Sequence, residues 1–524
     1  MYTWVRFMQE DNTYDAIVIG AGLGGLLSAA QLLQRGKRVA VLERLPRCGG
    51  RFTAKTFQGV QVSTGAVHMV PFGSSGVLAG MLRRLHIPHH FFDADVFASF
   101  HVHGKQVRSR GLLGTLKFLG LRQFFWFTCV GYLMFFRRLP AQELDLPFDT
   151  WLARHIDVKR HRELTAFFER ISCFALSLEL SQVTTAEIIK TTKNMFRYGA
   201  PGIVQGGCAA LTAELERRLL EQGAEIRLRS DVLQILSSNG HVNGVRVRDK
   251  ASGEESLLHA PLLVSDIGPR ATNALLNNQQ VTQAQVLKQQ ACDMREAIGL
   301  KVHILSDVSL IPHKGIMYCL DTKRIAGMVQ PTNFDPGLAP QGKHLLISHQ
   351  VMQSDNIDEE KALAMADLRM MFGEMFEKHC RILTMSAYRG EWPVNRIAQG
   401  EDVASETEVE GLFMVGDAVK PSGYLMVEGV AQSVNQFLDV LDAVEQLEQG
   451  DAIEQGEDMP SPLLWTVKFL VRSIVGGWQS HSGNEEGSPR PVARAKIVRT
   501  PRHVSPPPSR FNAIRWLWEA PGNS

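Results

Sequence analysis

The stretch that most constrains the fold is Tyr14 to Glu43, "YDAIVIGAGLGGLLSAAQLLQRGKRVAVLE". Its apolar runs "DAIVIG" and "RVAVLE" predict two short buried strands, and the spacing of apolar residues from Leu23 to Gln34 predicts a helix between them. Gly36 follows that helix in a position typical of a helix C-terminus. The order strand, helix, strand predicts a βαβ unit and therefore an α/β fold.

Glycines at the first strand-to-helix turn indicate what this unit binds. Gly20, Gly22 and Gly25 fit the pattern GxGxxG. In this pattern the first glycine permits a tight turn, the second lets a pyrophosphate approach the backbone, and the third lets helix and strand pack closely. Glu43 ends the second strand 23 residues after Gly20, near the offset of about 20 residues expected for an acid that binds a ribose hydroxyl. The unit therefore predicts a dinucleotide site in a Rossmann-like domain.

The residues after Glu43 bear on the choice between FAD and NAD. They read "RLPRCGGRFTA", with Gly49 and Gly50 followed by Arg51. This resembles the "GGR" continuation of amine oxidases and carotenoid desaturases, in which the glycines allow backbone contact with the diphosphate and the arginine assists. NAD dehydrogenases do not usually show it, so the resemblance favours FAD.

Length and composition set further bounds. With 524 residues the chain is too long for one simple core, which predicts two intertwined domains and a tail. A net charge of +2 gives no general case for a nucleic-acid partner. The seven cysteines are scattered and never spaced as CxxC, which argues against a disulfide framework and a structural zinc site. We therefore expect no metal. We also expect a cytoplasmic protein, because no secretory signal is visible.

A second glycine-marked segment predicts that the nucleotide domain is discontinuous. The helical pattern of 209–221, the alternating strands with a turn at Asn239-Gly240 and the buried run "APLLVSDIGP" suggest that the chain returns to the first domain. An α+β substrate domain with apolar helices would be inserted. The predicted divisions are an FAD-binding domain of 13–80, 201–275 and 401–447, a substrate domain of 81–200 and 276–400, and an amphipathic helix with a basic Pro-rich tail at 448–524.

Several stretches together resemble one family of flavoproteins. They are "IVIGAGLGGLLSAAQLLQRGKRVAVLE", "CGGRF", "PGIVQGGCAALTAEL", "VSDIGP" and "GLFMVGDAVKPSGYLMVEGVAQS", in order between residues 13 and 445. They resemble the phytoene desaturase and carotenoid isomerase group within the amine-oxidase-like superfamily. Val430 departs from the alanine usual in this group, and Val434 from the glycine that commonly follows the serine.

The resemblance implies a set of cofactor contacts along the whole chain. The glycine turns, Glu43 and Arg51 would hold the ADP half of FAD, and Val232 would contact adenine through its backbone. Asp417 would approach the ribityl and phosphate groups, and the helix start at "VEGVAQS" would lie near the flavin ring. The complete predicted set is Gly20, Gly22, Leu23, Gly24, Gly25, Glu43, Arg44, Gly49, Gly50, Arg51, Val232, Gly416, Asp417, Val427, Glu428, Gly429 and Val430.

Two apolar segments suggest contact with a lipid phase. "QFFWFTCVGYLMFF", Gln123 to Phe136, is 14 residues long, shorter than the roughly 18 residues of a spanning helix. A buried core helix and a membrane-dipping helix both fit it. The later "SPLLWTVKFLVRSIVGGW" predicts a basic amphipathic helix, either on an anionic bilayer or docked on the protein. We expect a peripheral position on the inner face of a membrane.

The resemblance implies an FAD-dependent desaturase or cis-trans isomerase that acts on a long apolar, polyprenoid or carotenoid-like substrate. A hydride would pass to flavin N5, and quinone or oxygen would accept the electrons. The same residues also fit an amine or porphyrinogen-type oxidase, or a flavin-binding partner protein with little turnover. His68 in "TGAVHMVPFG" is a candidate catalytic residue, because this turn borders the substrate cavity in the group; a structural histidine is the alternative.

Overall fold

The computed structural model describes residues 12–454 except 66, 97, 110 and 277–294. The helices are α1 Leu23–Gln34, α2 Val77–Arg84, α3 Gly111–Phe136, α4 Ala141–Leu144, α5 Phe148–His155, α6 Arg162–Ala175, α7 Thr185–Tyr198, α8 Gly207–Glu221, α9 Pro269–Leu275, α10 Ile357–Phe372, α11 Glu374–His379 and α12 Met426–Glu454. The strands are β1 Ala16–Ile19, β2 Val39–Leu42, β3 Ala54–Phe57, β4 Val60–Ser63, β5 Met69–Val70, β6 Phe91–Asp93, β7 Ala98–Val102, β8 Lys105–Ser109, β9 Gly202–Val204, β10 Glu225–Arg227, β11 Ser230–Ser238, β12 His241–Asp249, β13 Glu255–His259, β14 Leu262–Ser265, β15 Gly299–Ser306, β16 Ile316–Cys319, β17 Gly327–Val329, β18 His344–Val351, β19 Cys380–Tyr388 and β20 Leu412–Met414.

A five-stranded parallel sheet contains the predicted βαβ unit. Its strand order is β10-β2-β1-β14-β20, and every neighbouring pair is parallel. Strands β1, β2 and β14 are buried at every residue, as their continuous apolar sequences require. The strands come from three separate stretches of the chain, so the sheet closes only when distant segments return to it.

The three-stranded antiparallel sheet β11-β12-β13 follows the return of the chain. Asn239 (φ 52°) and Gly240 (φ 83°) form the tight turn between β11 and β12. Both residues adopt the left-handed conformation that an Asn-Gly hairpin turn needs, so the predicted turn is confirmed.

A seven-stranded mixed sheet, β19-β15-β18-β17-β16-β7-β8, forms the second large layer. Alternate residues of β15 point to opposite faces, as in any strand. Leu300, Val302 and Ile304 pack in a core with side chains of α10 and α11. The opposite face of the sheet contributes Leu305 to a core with Phe174 of α6. Lys301 and His303 therefore belong to this second face.

Helix α3 is longer than the apolar run predicted, because Lys117 and Arg122 do not end it. It is kinked at Gly120 (φ 71°), where the conformation is not helical. Among the described residues, one helical segment is long and apolar enough to cross a membrane, and it is Gly114–Phe136 of α3. Only 17% of this apolar window is buried, so α3 as a whole is not the buried core helix that the sequence allowed.

Helix α12 runs through the boundary predicted at residue 447. Residues up to Leu438 belong to one compact unit, and a second unit begins at Asp439 within this helix. The amphipathic helix and basic tail predicted for the end of the chain lie outside the described residues from 455 onwards.

Candidate active site

The glycine loop between β1 and α1 presents bare backbone to a cleft. A Cβ atom on Gly25 would collide with the carbonyl oxygen of Gly20, so the third glycine allows α1 to pack directly on the end of β1. A Cβ atom on Gly22 or Gly24 would collide with the carboxylate of Asp266 across the cleft. Asp266 can therefore pack directly on the loop only because the loop carries no side chains at these positions.

Glu43 lies at the end of β2, directly beside this loop. Its carboxylate is buried and accepts hydrogen bonds from the backbone N–H of Ala21 (2.8 Å) and of Leu45 (2.8 Å). These bonds fix the carboxylate at the edge of the cleft while leaving acceptor sites for a ligand hydroxyl. Ser230 donates its N–H to the Glu43 carbonyl oxygen, which places the start of β11, and with it Val232, next to the same edge.

The second pair of glycines lies against the first loop. Gly49 (φ 99°) donates its N–H to the Ala21 carbonyl oxygen at 2.7 Å. A Cβ atom on Gly50 would lie 3.7 Å from the Cα atom of Gly22. Arg44 is half exposed on the rim, where it pairs with Glu391 at 3.4 Å.

Asp417, which follows β20, is paired with two arginines. Its carboxylate accepts hydrogen bonds from the Arg51 guanidinium (2.5 Å), the Arg396 guanidinium (3.0 Å) and the Arg396 backbone N–H (2.6 Å). Burial alone would raise the pKa of Asp417, but the charges of Arg51 and Arg396 hold that pKa well below its usual range. A buried strand can end on this carboxylate because two cations compensate its charge.

Asp266 follows β14 and faces the glycine loop from the other side. Burial raises the pKa of Asp266 to about 7, although Arg396 opposes this shift. The parallel sheet thus delivers Glu43, Asp266 and Asp417 to one edge, at the carboxyl ends of three of its strands, where open α/β sheets bind their ligands.

The residues of this edge fit a phosphate-bearing dinucleotide such as FAD. We call the glycine loops, Glu43, Arg51, Arg396 and Asp417 the nucleotide wall. It offers bare backbone at a helix N-terminus and two partly buried guanidinium groups, which are the features that bind diphosphates. Asp266 would repel a phosphate if it were ionised. Its raised pKa allows it to lie beside a phosphate in the protonated form.

The Glu428 side chain at the start of α12 is bound by α2, whereas the predicted position of this helix start near the flavin ring stays a prediction. The Glu428 carboxylate is buried and accepts hydrogen bonds from the backbone N–H of Leu78 (2.9 Å) and Phe72 (3.3 Å). It thereby caps α2, and burial raises its pKa to about 7. A Cβ atom on Gly429 would meet the side chain of Lys420. Any contact of this segment with a ligand is left to its backbone and to Val427 and Val430.

His68 is held by backbone groups on both sides of its ring. Its Nε2 lies 2.8 Å from the carbonyl oxygen of Gln61, and its Nδ1 accepts the backbone N–H of Cys208 at 3.3 Å. Burial lowers the pKa of His68 to about 4, so the ring is neutral. The structure therefore argues against the predicted catalytic role, because His68 joins β4 to the start of α8.

Sequence reasoning missed a group of buried polar side chains of the seven-stranded sheet, of which Lys301 lies near enough to Arg51 to be affected by its charge. Lys301 is 2% exposed, and its Nζ lies 4.6 Å from the ring centre of Tyr388. Burial, and to a smaller extent the charge of the nearby Arg51, lower the pKa of Lys301 to about 7. His303 Nε2 lies 3.0 Å from the Ser63 hydroxyl. We call Lys301, His303 and His349 the substrate wall.

The only sequence signal for the substrate wall is an alternation. In "GLKVHILS" the polar residues Lys301 and His303 occupy every second position of an otherwise apolar strand. That pattern also describes an ordinary strand with one solvated face. The location of both residues in the interior follows from the packing of other elements, which the strand itself does not encode.

Comparison with known proteins gives the chain a family. Residues 23–433 match the family described as "Flavin containing amine oxidoreductase". An uncharacterized protein of Methanocaldococcus jannaschii is 30% identical over 428 residues, which cover 82% of this chain and 99% of the relative.

Two further proteins show the structural and functional neighbourhood. The crystal structure of an oxidoreductase from Methanosarcina mazei has a TM-score of 0.74 and 30% identity, and it covers 81% of this chain and 99% of that chain. Prolycopene isomerase of Daucus carota is 23% identical over 418 residues, covering 68% of this chain and 63% of the relative.

Proposed function

Because this chain belongs to the family of flavin-containing amine oxidoreductases, we propose that it uses FAD to oxidise or isomerise a long apolar, polyprenoid-like substrate. The family makes the chain an oxidoreductase with FAD as its cofactor. The substrate class is the proposal, and the likeness to a prolycopene isomerase supports it.

The observation that carries the proposal is an apolar connection between α3 and the cleft. Phe118 of α3 stacks on Phe100 of β7, with ring centres 4.6 Å apart. The cluster that contains both rings continues to Val67 and Met69, which flank His68. An apolar substrate that leaves a lipid phase along α3 would therefore meet apolar side chains as far as the cleft.

The residues of the two walls have distinct tasks in this proposal. The nucleotide wall binds and orients FAD, which supplies the two-electron chemistry when bound. The packed apolar cluster excludes water from the reacting carbons. Lys301, with a pKa of about 7, can hold or release a proton at Nζ near neutral pH, which matches the loss of one proton beside each hydride in a desaturation.

The same lysine argues against small cationic amines as substrates. An ammonium group in the cleft would have to lie near Lys301 and Arg51 with little water to screen the repulsion. A porphyrinogen-type substrate with carboxylates would pair with Lys301 instead, so this second candidate is kept as an arm of the test.

The test is anaerobic reduction of the flavin in the purified protein. Polyprenoid extracts, small diamines and a porphyrinogen are offered separately, and flavin bleaching is followed by absorbance with analysis of the product double bonds. We expect bleaching or a cis-trans change with a polyprenoid and neither with amines. Bleaching by amines or the porphyrinogen alone would overturn the polyprenoid assignment. Neither bleaching nor a cis-trans change with any substrate would favour a partner protein with little turnover.

A matched pair of variants connects this test to the structure. Phe118→Ser places a hydroxyl in the apolar connection, whereas Phe57→Ser changes an exposed phenylalanine of β3. We expect the first to slow reduction by the polyprenoid about tenfold and the second to leave it unchanged. Equal rates in both variants would remove the connection from the proposal.

The cellular setting is part of the same proposal. We propose a peripheral position on the inner face of a membrane, with quinone or oxygen as the electron acceptor. Exposed apolar side chains on α3 support the membrane contact; they are Leu121, Phe125, Tyr132 and Phe136. Cofractionation of the protein with membranes, and its release by detergent rather than by salt, would test this position.

A further inference from the structure

A surface cavity of about 580 Å³ lies where α3, α5 and the start of α6 meet, far along the chain from the nucleotide wall. Arg122 of α3, Arg154 of α5 and Arg160 of the following loop line it together. Their guanidinium groups form no ion pair or side-chain hydrogen bond with any residue that the structure describes. Three cations of separate elements thus meet at one cavity without a counter-charge of their own.

The cavity also has a buried, unpartnered polar atom in its lining. His161, the N-cap residue of α6, is 3% exposed, and its Nδ1 has no hydrogen-bond partner among the described residues. A buried ring nitrogen without a partner costs free energy unless a ligand or water meets it. Asp157 is the single acid among the lining residues, and its carboxylate accepts the backbone N–H groups of Lys159 and Arg160 at 3.1 Å.

The residues around the cavity indicate the chemical class of the ligand. Trp126 of α3 is also in the lining, with its ring centre 5.8 Å from that of His161. On the same helix, Leu121 is 81% exposed and Phe125 is 59% exposed. A cationic pocket beside an exposed apolar helix matches a molecule with an anionic head and an apolar body.

We propose that this pocket binds the phosphate headgroup of an anionic membrane lipid, with the acyl chains along α3. Arg122, Arg154 and Arg160 would pair with the phosphate oxygens, since the guanidinium fork suits phosphate geometry. His161 would contribute Nδ1 as a donor or acceptor. The site rests on the membrane contact proposed above and adds to it a preference among lipids.

The first arm of the test measures the affinity of the pocket for a lipid in the absence of a membrane. Isothermal titration of the full-length, flavin-loaded protein uses short-chain, monomeric dihexanoyl phosphatidic acid, with inorganic phosphate in a parallel titration. We expect the lipid to bind and phosphate alone to bind at least tenfold more weakly. Equal affinity for inorganic phosphate, or no binding of the lipid, would overturn the assignment.

The second arm compares a pocket variant with a control of equal charge. The pocket variant is R122Q/R154Q/R160Q. The control R217Q/R246Q/R369Q removes three arginines that form exposed ion pairs elsewhere. Both keep the basic tail, and flavin content and thermal unfolding establish that both fold.

Cosedimentation with vesicles then separates the possible outcomes. Each basic side chain at an anionic bilayer contributes about a fivefold gain in binding, so the pocket variant should bind vesicles containing phosphatidic acid about a hundredfold more weakly than the control. Equal binding of the two variants would overturn the pocket. Failure of the membrane contact is distinguishable, since both variants would then bind neither anionic nor phosphatidylcholine vesicles.

Discussion

The nucleotide wall and the substrate wall are neighbours, since the charge of Arg51 acts on Lys301, but they are stabilised in opposite ways. In the nucleotide wall each charge has a partner, such as the Arg51–Asp417 pair at 2.5 Å. In the substrate wall, within the part of the chain that the structure describes, Lys301 has an aromatic ring and no carboxylate as its partner, and His349 has a buried Nδ1 without a hydrogen-bond partner. Paired charges hold a cofactor in one fixed position, whereas unpaired ones keep their capacity to meet a ligand or exchange a proton.

The largest expected effect comes from removing the partner in the nucleotide wall. In Asp417→Ala, Arg51 and Arg396 lose the carboxylate between them, and breaking a buried pair costs about 3–5 kcal/mol. We expect the free energy of unfolding to fall by about 3 kcal/mol and the protein to lose most of its flavin, measured by chemical denaturation and by the absorbance ratio of flavin to protein. Glu377→Gln, in an exposed pair with Arg369, is the control and should change neither. A yellow, fully occupied Asp417→Ala protein would contradict this account of the wall.

In the substrate wall we expect a substitution to raise the free energy of unfolding, the opposite of the change expected for Asp417→Ala. The pKa of Lys301 is about 7 in the folded protein, below the value of about 10.4 for an unfolded lysine. The unfolded chain therefore binds more protons between these values, so the cost of burying Lys301 is fully present below pH 7 and disappears towards pH 10.5. Lys301→Met should raise the free energy of unfolding by about 2–4 kcal/mol at pH 7 and by little at pH 10, as measured by denaturation at both values.

Lys378→Met, which changes an exposed lysine of α11, is the control for Lys301→Met and should show no such pH-dependent difference. A Lys301→Met protein that is less stable than the wild type at pH 7 would mean that the ammonium has a stabilising partner. The contrast between the two walls would then be wrong.

A smaller effect is expected at the edge of the nucleotide wall. Glu43→Ala removes the acceptor for the N–H groups of Ala21 and Leu45 and the predicted partner of the ribose. Each unsatisfied group costs about 1–3 kcal/mol, so FAD should dissociate at least tenfold more readily, as measured by dialysis and fluorescence of released flavin. Arg44→Gln, on the exposed rim, should lie within twofold of the wild type; a larger loss there would restore Arg44 as a cofactor contact.

The smallest effect is expected at Asp266, a buried carboxyl group beside the glycine loop whose pKa is raised by burial although Arg396 and the backbone N–H of Gly25 oppose the shift. Its raised pKa of about 7 means that it ionises beside the bound phosphates as the pH rises above neutrality. Asp266→Asn should therefore retain FAD several-fold more tightly than the wild type at pH 8, and equally at pH 5.5, where the wild-type carboxyl group is protonated. Asp231→Asn, an exposed pair partner of Lys250, should show no pH-dependent change. A constant ratio across this range would show that Asp266 does not face the phosphates.

The sequence predicts the nucleotide wall well because its signals are local. Helix α1 has the predicted bounds Leu23–Gln34, since the glycine turn and the apolar spacing specify both of its ends. Asp417 was predicted to approach the ribityl and phosphate groups of the flavin, and that contact stays a prediction; in the structure its carboxylate pairs with Arg51 and Arg396. Its partner Arg396 has no motif, because it comes from a loop that the fold places beside β20.

The substrate wall and α3 were not predictable in the same way. The burial of Lys301 depends on β18, β19 and the glycine-rich segments that cover it, and nothing near Lys301 in the sequence records them. Helix α3 is longer than the 14-residue apolar run because an exposed helix tolerates single charges such as Lys117, so the end of the apolar run does not mark the end of the helix. The capping of α2 by Glu428 joins segments 350 residues apart, beyond the reach of any local pattern.

The topology of the parallel sheet has a consequence for synthesis. Strand β14 lies between β1 and β20, so its outer edge has no partner until the ribosome has added Leu412–Met414. Arg51 likewise waits for Asp417, which follows it by 366 residues. The nascent chain therefore carries an open strand edge, the kind of template on which aggregation begins, and the Arg51–Asp417 pair can form only after Asp417 has been synthesised.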